Sequence, residues 1–378
     1  MNTRLAVLAL ATAALAACEP SRSPTSPATS LQAQRDADVS AALSDPGAVY
    51  TLTNQVGGNA VAVFARGADG RLTAAGTVST GGTGTGASLG SQSAVTLSDD
   101  GRWLFAVNAG SNDVSVFSVS PAGLALASRT ASGGTLPISL TVHGNVLYVL
   151  NAGGTGNISG FAVGTSGALA AIAGATRPLS GSNVGPAQVS FTPDGRRLVV
   201  TEKNTNQLDV YAVDANGVAS GPTTTASAGG TPFGFSFSLR NELFVSEAAG
   251  SASSYELDPR GNVTLVSGAV LTHQGAPCWA VVTNDGRIGF TGNGAGSVSA
   301  FAIAPDGAIN LVDANGGTAL IGAGINDIAL SHNSRYLYVL QTGGAQAIHA
   351  FRVQADGHLT ALGAIAGLPT GTRGLAAF

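Results

Sequence analysis

One motif recurs seven times along this chain, and it constrains the fold more than anything else in the sequence. Each copy has an apolar run, a polar residue, a turn rich in Gly, Asn and Ser, and an alternating run that ends in an aromatic. The copies are "VYTLTNQVGGNAVAVF" (49–64), "LFAVNAGSNDVSVF" (104–117), "LYVLNAGGTGNISGF" (147–161) and "LVVTEKNTNQLDVY" (198–211). They continue as "LFVSEAAGSASSY" (243–255), "IGFTGNGAGSVSAF" (288–301) and "LYVLQTGGAQAIHAF" (337–351). The polar pivots are Asn54, Asn108, Asn151, Glu202, Glu247, Asn293 and Gln341, spaced 43 to 54 residues apart.

Turn chemistry supplies the strands around each motif. Segments such as "SDDGR" (98–102) and "TPDGR" (192–196) place Asp-Gly where a tight hairpin needs positive φ. A second turn follows most copies, as in "DGRL" (69–72), "DGAI" (306–309) and "DGHL" (356–359). Each unit therefore holds four short strands, and four-stranded units at this period are propeller blades. The closing aromatics, Phe64, Phe117, Phe161, Tyr211, Tyr255, Phe301 and Phe351, are expected to pack between blades. The first copy lacks an inner strand, and "TRGLAAF" (372–378) aligns with the inner strands of other copies. The expectation is an all-β, seven-bladed β-propeller over 46–378, closed by the strand 372–378 joining the first blade (49–79). Closure removes exposed sheet edges.

The opening 18 residues, "MNTRLAVLALATAALAAC", read as a signal peptide too short to span a membrane. Leu15-Ala16-Ala17-Cys18 resembles the lipobox of bacterial lipoproteins, which implies lipidation at Cys18. Residues 19–45 are rich in Ser, Thr, Pro and Ala and poor in bulky apolar side chains, the composition of a flexible tether. These readings give an exported chain, anchored through lipid in the cell envelope, with an outer membrane favoured where one exists. A net charge of −4 without a basic cluster argues against nucleic acid. Apart from Cys18 the sole cysteine is Cys278, read as a buried small residue, so no disulfide framework is expected. No cofactor and no metal are expected: none of the five histidines has metal-ligand spacing. A monomer is expected.

In a propeller, the mouth of the central channel is the natural binding site. Two sets of residues are expected to converge there: the pivots and the starts of the inner strands. Together they offer Glu202, Glu247 and Asp327 as carboxylates, Lys203 and Arg373 as cations, Gln188, Asn108, Asn151 and Asn293 as amides, and Trp279. Such a set suits a small polar ligand. The pivots can instead cap strand ends, where Asn and Glu side chains bond free backbone groups. His273 precedes an inner strand and is a further channel candidate. The Gly-rich "GGTGTGASLG" (81–90) has no helix behind it and reads as a loop.

The "LFAVN", "LYVLN" and "LYVLQ" pieces resemble the YVTN-type repeat of bacterial surface propellers. The longer pattern resembles the seven-bladed lactonase family, which includes 6-phosphogluconolactonases and carboxymuconate cyclases. It is carried by "GPAQVSFTPDGRRLVVTEKNTNQLDVYAV" (185–213), "GTPFGFSF" (230–237), "LFVSEAAGSASSYELD" (243–258) and "APCWAVVTNDGRIGFTGN" (276–293). The resemblance implies an Arg-His pair after the Gly-Pro of the fourth inner strand and a Glu at the following pivot. Glu202 matches that Glu; Ala187 and Gln188 stand where the pair is expected. Two readings remain open. One is a hydrolase of a small non-phosphorylated lactone, with Glu202 as general base, Glu247 beside it, and Gln188, Asp327 and Arg373 shaping the site. The other is a non-catalytic surface propeller that binds a carbohydrate, peptide or protein.

Overall fold

The computed structural model describes residues 47–378, and these form strands and turns without a helix. The signal peptide, Cys18 and the tether lie outside the described residues. Seven antiparallel sheets follow one another along the chain. Blade 1 pairs Gly47–Leu52, Ala60–Arg66 and Leu72–Ser79 with the C-terminal Arg373–Ala377 as its innermost strand. Blades 2 to 7 start from the inner strands Val95–Leu97, Pro137–His143, Pro186–Phe191, Pro232–Phe237, Pro277–Val282 and Ile325–Leu330. Each inner strand touches the next around a closed ring. The expected closure is present, with Val49 opposite Ala377, Tyr50 opposite Ala376 and Thr51 opposite Leu375.

The repeat motif supplies the packing. All seven closing aromatics are buried, at most 7% exposed. Phe301 of blade 6 meets Phe244 of blade 5 edge-on at 5.4 Å. Opposite Phe301 stands Gly289, where a Cβ would come within 3.0 Å of the Phe244 ring, so the two rings need that absence. Burying each aromatic contributes about 1.5–3 kcal/mol. The Asp-Gly turns behave as read. In blade 4, Gly195 has φ of 69°, and the Asp194 carboxylate accepts from the Thr192 hydroxyl and the Arg196 N–H.

Two features position the channel mouth. First, six of the seven blades carry a register shift at the mouth end of the inner strand, in blades 3 to 6 beside the proline that opens it (Pro137, Pro186, Pro232, Pro277). Such bulges re-aim side chains. Second, the linker from blade 1 to blade 2 spans 80–94, fifteen residues, whereas the other linkers hold four to seven. That surplus chain includes the Gly-rich 81–90.

Candidate functional site

The pivots do not reach the channel. All seven are buried; Asn54, Asn151, Glu202, Glu247 and Gln341 hydrogen-bond to the chain entering their blade, Asn293 bonds within its own blade, and Asn108 bonds within its own blade and to Asn59 of blade 1. Glu247 shows the logic most fully. Its carboxylate accepts from the Ser227 hydroxyl (2.9 Å), the Gly229 N–H (2.7 Å), and the hydroxyls of Ser251 (2.6 Å) and Ser253 (2.7 Å). Glu202 accepts from the Ser180 N–H (3.1 Å), the Ser180 hydroxyl (2.5 Å) and the Thr205 hydroxyl (2.7 Å). Asn108 donates to Asp113 and Ser115, Asn151 to the Ser132 carbonyl and Asn157, and Asn293 to Ser297 and Ser299. The expected convergence therefore fails for Glu202, Glu247, Asn108, Asn151 and Asn293. The strand ends carry free backbone groups, and the pivots staple the passing linker to them. The two acids also do not share a pocket: each belongs to its own seam.

The inner-strand set divides. Gln188 spends its amide on the next inner strand, donating to the Phe235 carbonyl (3.1 Å) and accepting from the Phe235 N–H (2.8 Å). Asp327 accepts from the N–H of Ile328 (2.9 Å) and of Leu375 across the seam (3.0 Å). Burial holds its carboxyl well above the usual range. An innermost strand has one unpaired edge, and these side chains satisfy the N–H and C=O groups it would otherwise leave bare. Both residues hold the ring together.

The mouth is built by Lys203, Arg373, Trp279 and the long linker. Ser91 and Gln92 cross the opening. Gln92 donates from its N–H to the Ala187 carbonyl of blade 4, and its amide brackets Ala280 of blade 6 at 2.8 and 2.9 Å. Trp279 donates its indole N–H to the Ser91 carbonyl (3.0 Å) and meets Phe233 edge-on at 5.5 Å. The Ser91 hydroxyl donates to Ile138 of blade 3. Gly234 admits this strap: a Cβ there would stand 2.0 Å from the Gln92 side-chain oxygen.

Lys203 sits beneath the strap's leading edge. Its Nζ donates to the carbonyls of Gly90 (2.5 Å) and Pro186 (3.0 Å) and lies 5.0 Å from the centre of the Phe233 ring. Burial pulls its pKa down to about 8, and the nearby Cys278 thiol is pushed up to about 12 by its own burial. Two hydrogen bonds leave one ammonium hydrogen for a ligand. Among the described residues no carboxylate forms an ion pair with Lys203. On the blade 7 side, Arg373 donates to the Thr342 hydroxyl (3.0 Å) and the Thr372 carbonyl (2.6 Å), and Asn326 shares the same hydroxyl. In three blades the residue after the pivot, not the pivot itself, serves the mouth: Lys203, Thr342 and, beside a pocket between blades 3 and 4, Ala152.

That pocket encloses about 200 Å3 and reaches Lys203. Sequence reasoning missed it, along with the strap. The readable signal was the length of the blade 1 to blade 2 linker. His273 lies exposed in the blade 5 to blade 6 linker, with φ of 54°. No group of three or more His, Cys, Asp or Glu among the described residues is placed to hold a metal ion.

The fold defines the class: a seven-bladed β-propeller closed by its C-terminal strand. The family model described as "Lactonase, 7-bladed beta-propeller" matches residues 48–178, which are blades 1 to 3. The ring as a whole is similar to a candidate 6-phosphogluconolactonase from Bacteroides fragilis, with 20% identity, 87% of this chain and 97% of that one covered, and a TM-score of 0.70. It is also similar to a periplasmic gluconolactonase from Pseudomonas aeruginosa, at 19% identity, 87% and 99% coverage and a TM-score of 0.68. A functionally unknown protein from Desulfotomaculum acetoxidans shares the fold at 15% identity, 87% and 98% coverage and a TM-score of 0.67. No curated protein matches. The resemblance to the seven-bladed lactonases is borne out, by the family model in blades 1 to 3 and by the fold around the ring.

Proposed function

We propose that this lactonase-type propeller acts on a small, non-phosphorylated lactone bound at the mouth, with Lys203 polarising the ring carbonyl. The observation that carries this reading is the Lys203 ammonium: semi-buried, without a carboxylate partner among the described residues, and already holding two carbonyl oxygens, Gly90 and Pro186. Lactone hydrolysis adds water to the carbonyl carbon, breaks the ring C–O bond and leaves a hydroxy acid. A cation preset against the carbonyl oxygen stabilises the charge that develops there. One lysine beside the pocket suits a carbonyl or carboxylate better than a phosphate, which favours several Arg and Lys donors. Glu202 as general base would have to exchange the Ser180 and Thr205 hydroxyls for water, so it is assigned to the seam.

A second reading, a binding propeller without turnover, draws on Ala187 and Gln188. Ala187 is fully buried and Gln188 is committed to Phe235, so neither replaces the Arg-His pair that the resemblance implies. In either reading the propeller works at the cell envelope, anchored by lipid on Cys18 through the tether of 19–45. Metabolic labelling with a fatty acid, lost in Cys18→Ser, tests the anchor.

The functional test is a panel of γ- and δ-lactones, including gluconolactone, offered to wild type, Lys203→Met and Glu202→Gln. Hydrolysis lost in Lys203→Met and retained in folded Glu202→Gln supports the assignment. Turnover untouched by Lys203→Met removes Lys203 from the mechanism. Absence of turnover on every lactone leaves the binding reading.

A further inference from the structure

Lys203 is the only lysine in this chain; every other strong base is Arg. An Arg side chain keeps its proton, so Lys203 Nζ is the one side-chain amine here that can offer a lone pair. Its surroundings suit the neutral form. A neutral amine has two hydrogens and one lone pair, and the carbonyl oxygens of Gly90 and Pro186 take the two hydrogens. Among the described residues no carboxylate pairs with Nζ to hold a further proton in place. The titratable group acting on it, the Cys278 thiol, is itself kept neutral by burial, and Glu202 turns its carboxylate to Ser180 and Thr205. Burial brings Lys203 down to about 8. At pH 7 about one Lys203 in ten is then a free amine, against fewer than about one in a thousand for an ordinary lysine.

Lys203 lines the pocket between blades 3 and 4, which encloses about 200 Å3. Ile138, Leu179 and Val184 are at most 4% exposed there, so they support the walls and form little of the surface. What the pocket presents is loop: Gly154, Thr155 and Asn183, all exposed, and Gly185, half-exposed. Backbone amides and carbonyls, with Thr and Asn side chains, can hydrogen-bond the hydroxyls of a small polar molecule. Gly90 keeps the strap clear of the amine, since a Cβ there would stand 3.2 Å from Nζ. We propose that Lys203 is a carbonyl-capture site: its amine condenses reversibly with small hydroxylated aldehydes, such as the open-chain form of a short sugar, to give an imine in this pocket. The nitrogen lone pair forms the C–N bond while the carbonyl oxygen takes a proton from the nitrogen, giving a carbinolamine. The carbinolamine then loses its hydroxyl and the remaining nitrogen proton as one water, leaving a C=N bond. A desolvated lysine held without a carboxylate is the group that forms such imines. The inference goes beyond the lactone reading: it uses the same side chain in its other protonation state and does not depend on turnover.

The test is labelling with glyceraldehyde at pH 7 in the presence of cyanoborohydride, which gives hydride to the imine carbon and fixes the adduct. Peptide mass mapping should find Lys203 carrying the mass of the aldehyde less one oxygen atom, with the chain's α-amino group as the reference in the same sample. Folded protein should be labelled at Lys203 at least about tenfold faster than the same chain unfolded in guanidinium chloride, where the lysine regains its ordinary pKa. Relative to the α-amino reference, glyceraldehyde should label Lys203 faster than butanal does. Ala152→Phe, which fills the pocket from a half-exposed position, should remove that preference. Labelling of folded Lys203 no faster than in the unfolded chain, a preference for butanal, or a preference for glyceraldehyde that survives Ala152→Phe overturns the inference. Adduct formation without hydrolysis of any lactone upholds it and removes the lactonase reading. Lactone hydrolysis that depends on Lys203, with no adduct, does the reverse.

Discussion

Replacing Asp209 by Ser should stabilise this protein at alkaline pH. In blades 2, 3, 5 and 6 the residue two before the closing aromatic is Ser115, Ser159, Ser253 or Ser299. Ser253 donates to Glu247, and the amides of Asn108 and Asn293 donate to Ser115 and Ser299. Blade 4 has Asp209 at that position, facing Glu202, and both are fully buried. Neither Asp209 oxygen has a hydrogen-bond donor. Burial, and then the Glu202 carboxylate, push the Asp209 carboxyl up to about 8. A protonated Asp209 can give Glu202 the hydrogen bond that Ser253 gives Glu247.

The sign follows from linkage. The unfolded Asp titrates near 3.9, so between about pH 4 and pH 8 the native state binds more protons than the unfolded state. Stability contributed by Asp209 is therefore fully present below about pH 4, declines across that window, and is gone above about pH 8. A serine at 209 donates to Glu202 without titrating. A hydrogen bond to a charged group contributes about 1.5–3 kcal/mol, and the variant is also freed of a second buried charge. The variant should match wild type near pH 5 and exceed it by about 2–4 kcal/mol at pH 9. Urea unfolding at pH 5, 7 and 9 measures this. Parallel wild-type and variant curves would refute the shared-proton account of the blade 4 seam.

Gly234→Ala forces a Cβ against Gln92 and the Cys278 carbonyl (2.7 Å), and should cost about 1–3 kcal/mol in a urea titration. Removing 373–378 bares the edge of Gly47–Leu52 and takes the Asp327–Leu375 bond with it; the expected result is loss of a single cooperative thermal transition. Lys203 is charged below its pKa of about 8, so carboxylate affinity at the mouth should fall as pH rises through 8, followed by calorimetry from pH 6.5 to 9.5. In Lys203→Met that pH dependence should vanish.

The ring was legible because its signals repeat. Seven pivots, seven aromatics and the Asp-Gly turns fix the strands, and the missing first inner strand pointed to 372–378. The site was less legible because a pivot and its neighbour look alike in a strand pattern. The strand ends at Glu202, whose side chain stays in the seam, while Lys203, the first residue of the turn beyond it, reaches the mouth. The bulges beside Pro186 and Pro277 then re-aim the inner-strand starts in a way that spacing alone does not encode. The strap was visible only as unusual length. Its glycines carry no side chain to mark a destination, and its Gln92 meets a partner 188 positions away.

The account rests on Lys203, and a crystal structure with 4-hydroxybutanoate, the product of γ-butyrolactone, tests it most directly. The carboxylate is predicted within hydrogen-bond distance of Lys203 Nζ. A ligand seated elsewhere on the ring, with Nζ still held only by the Gly90 and Pro186 carbonyls, would contradict it.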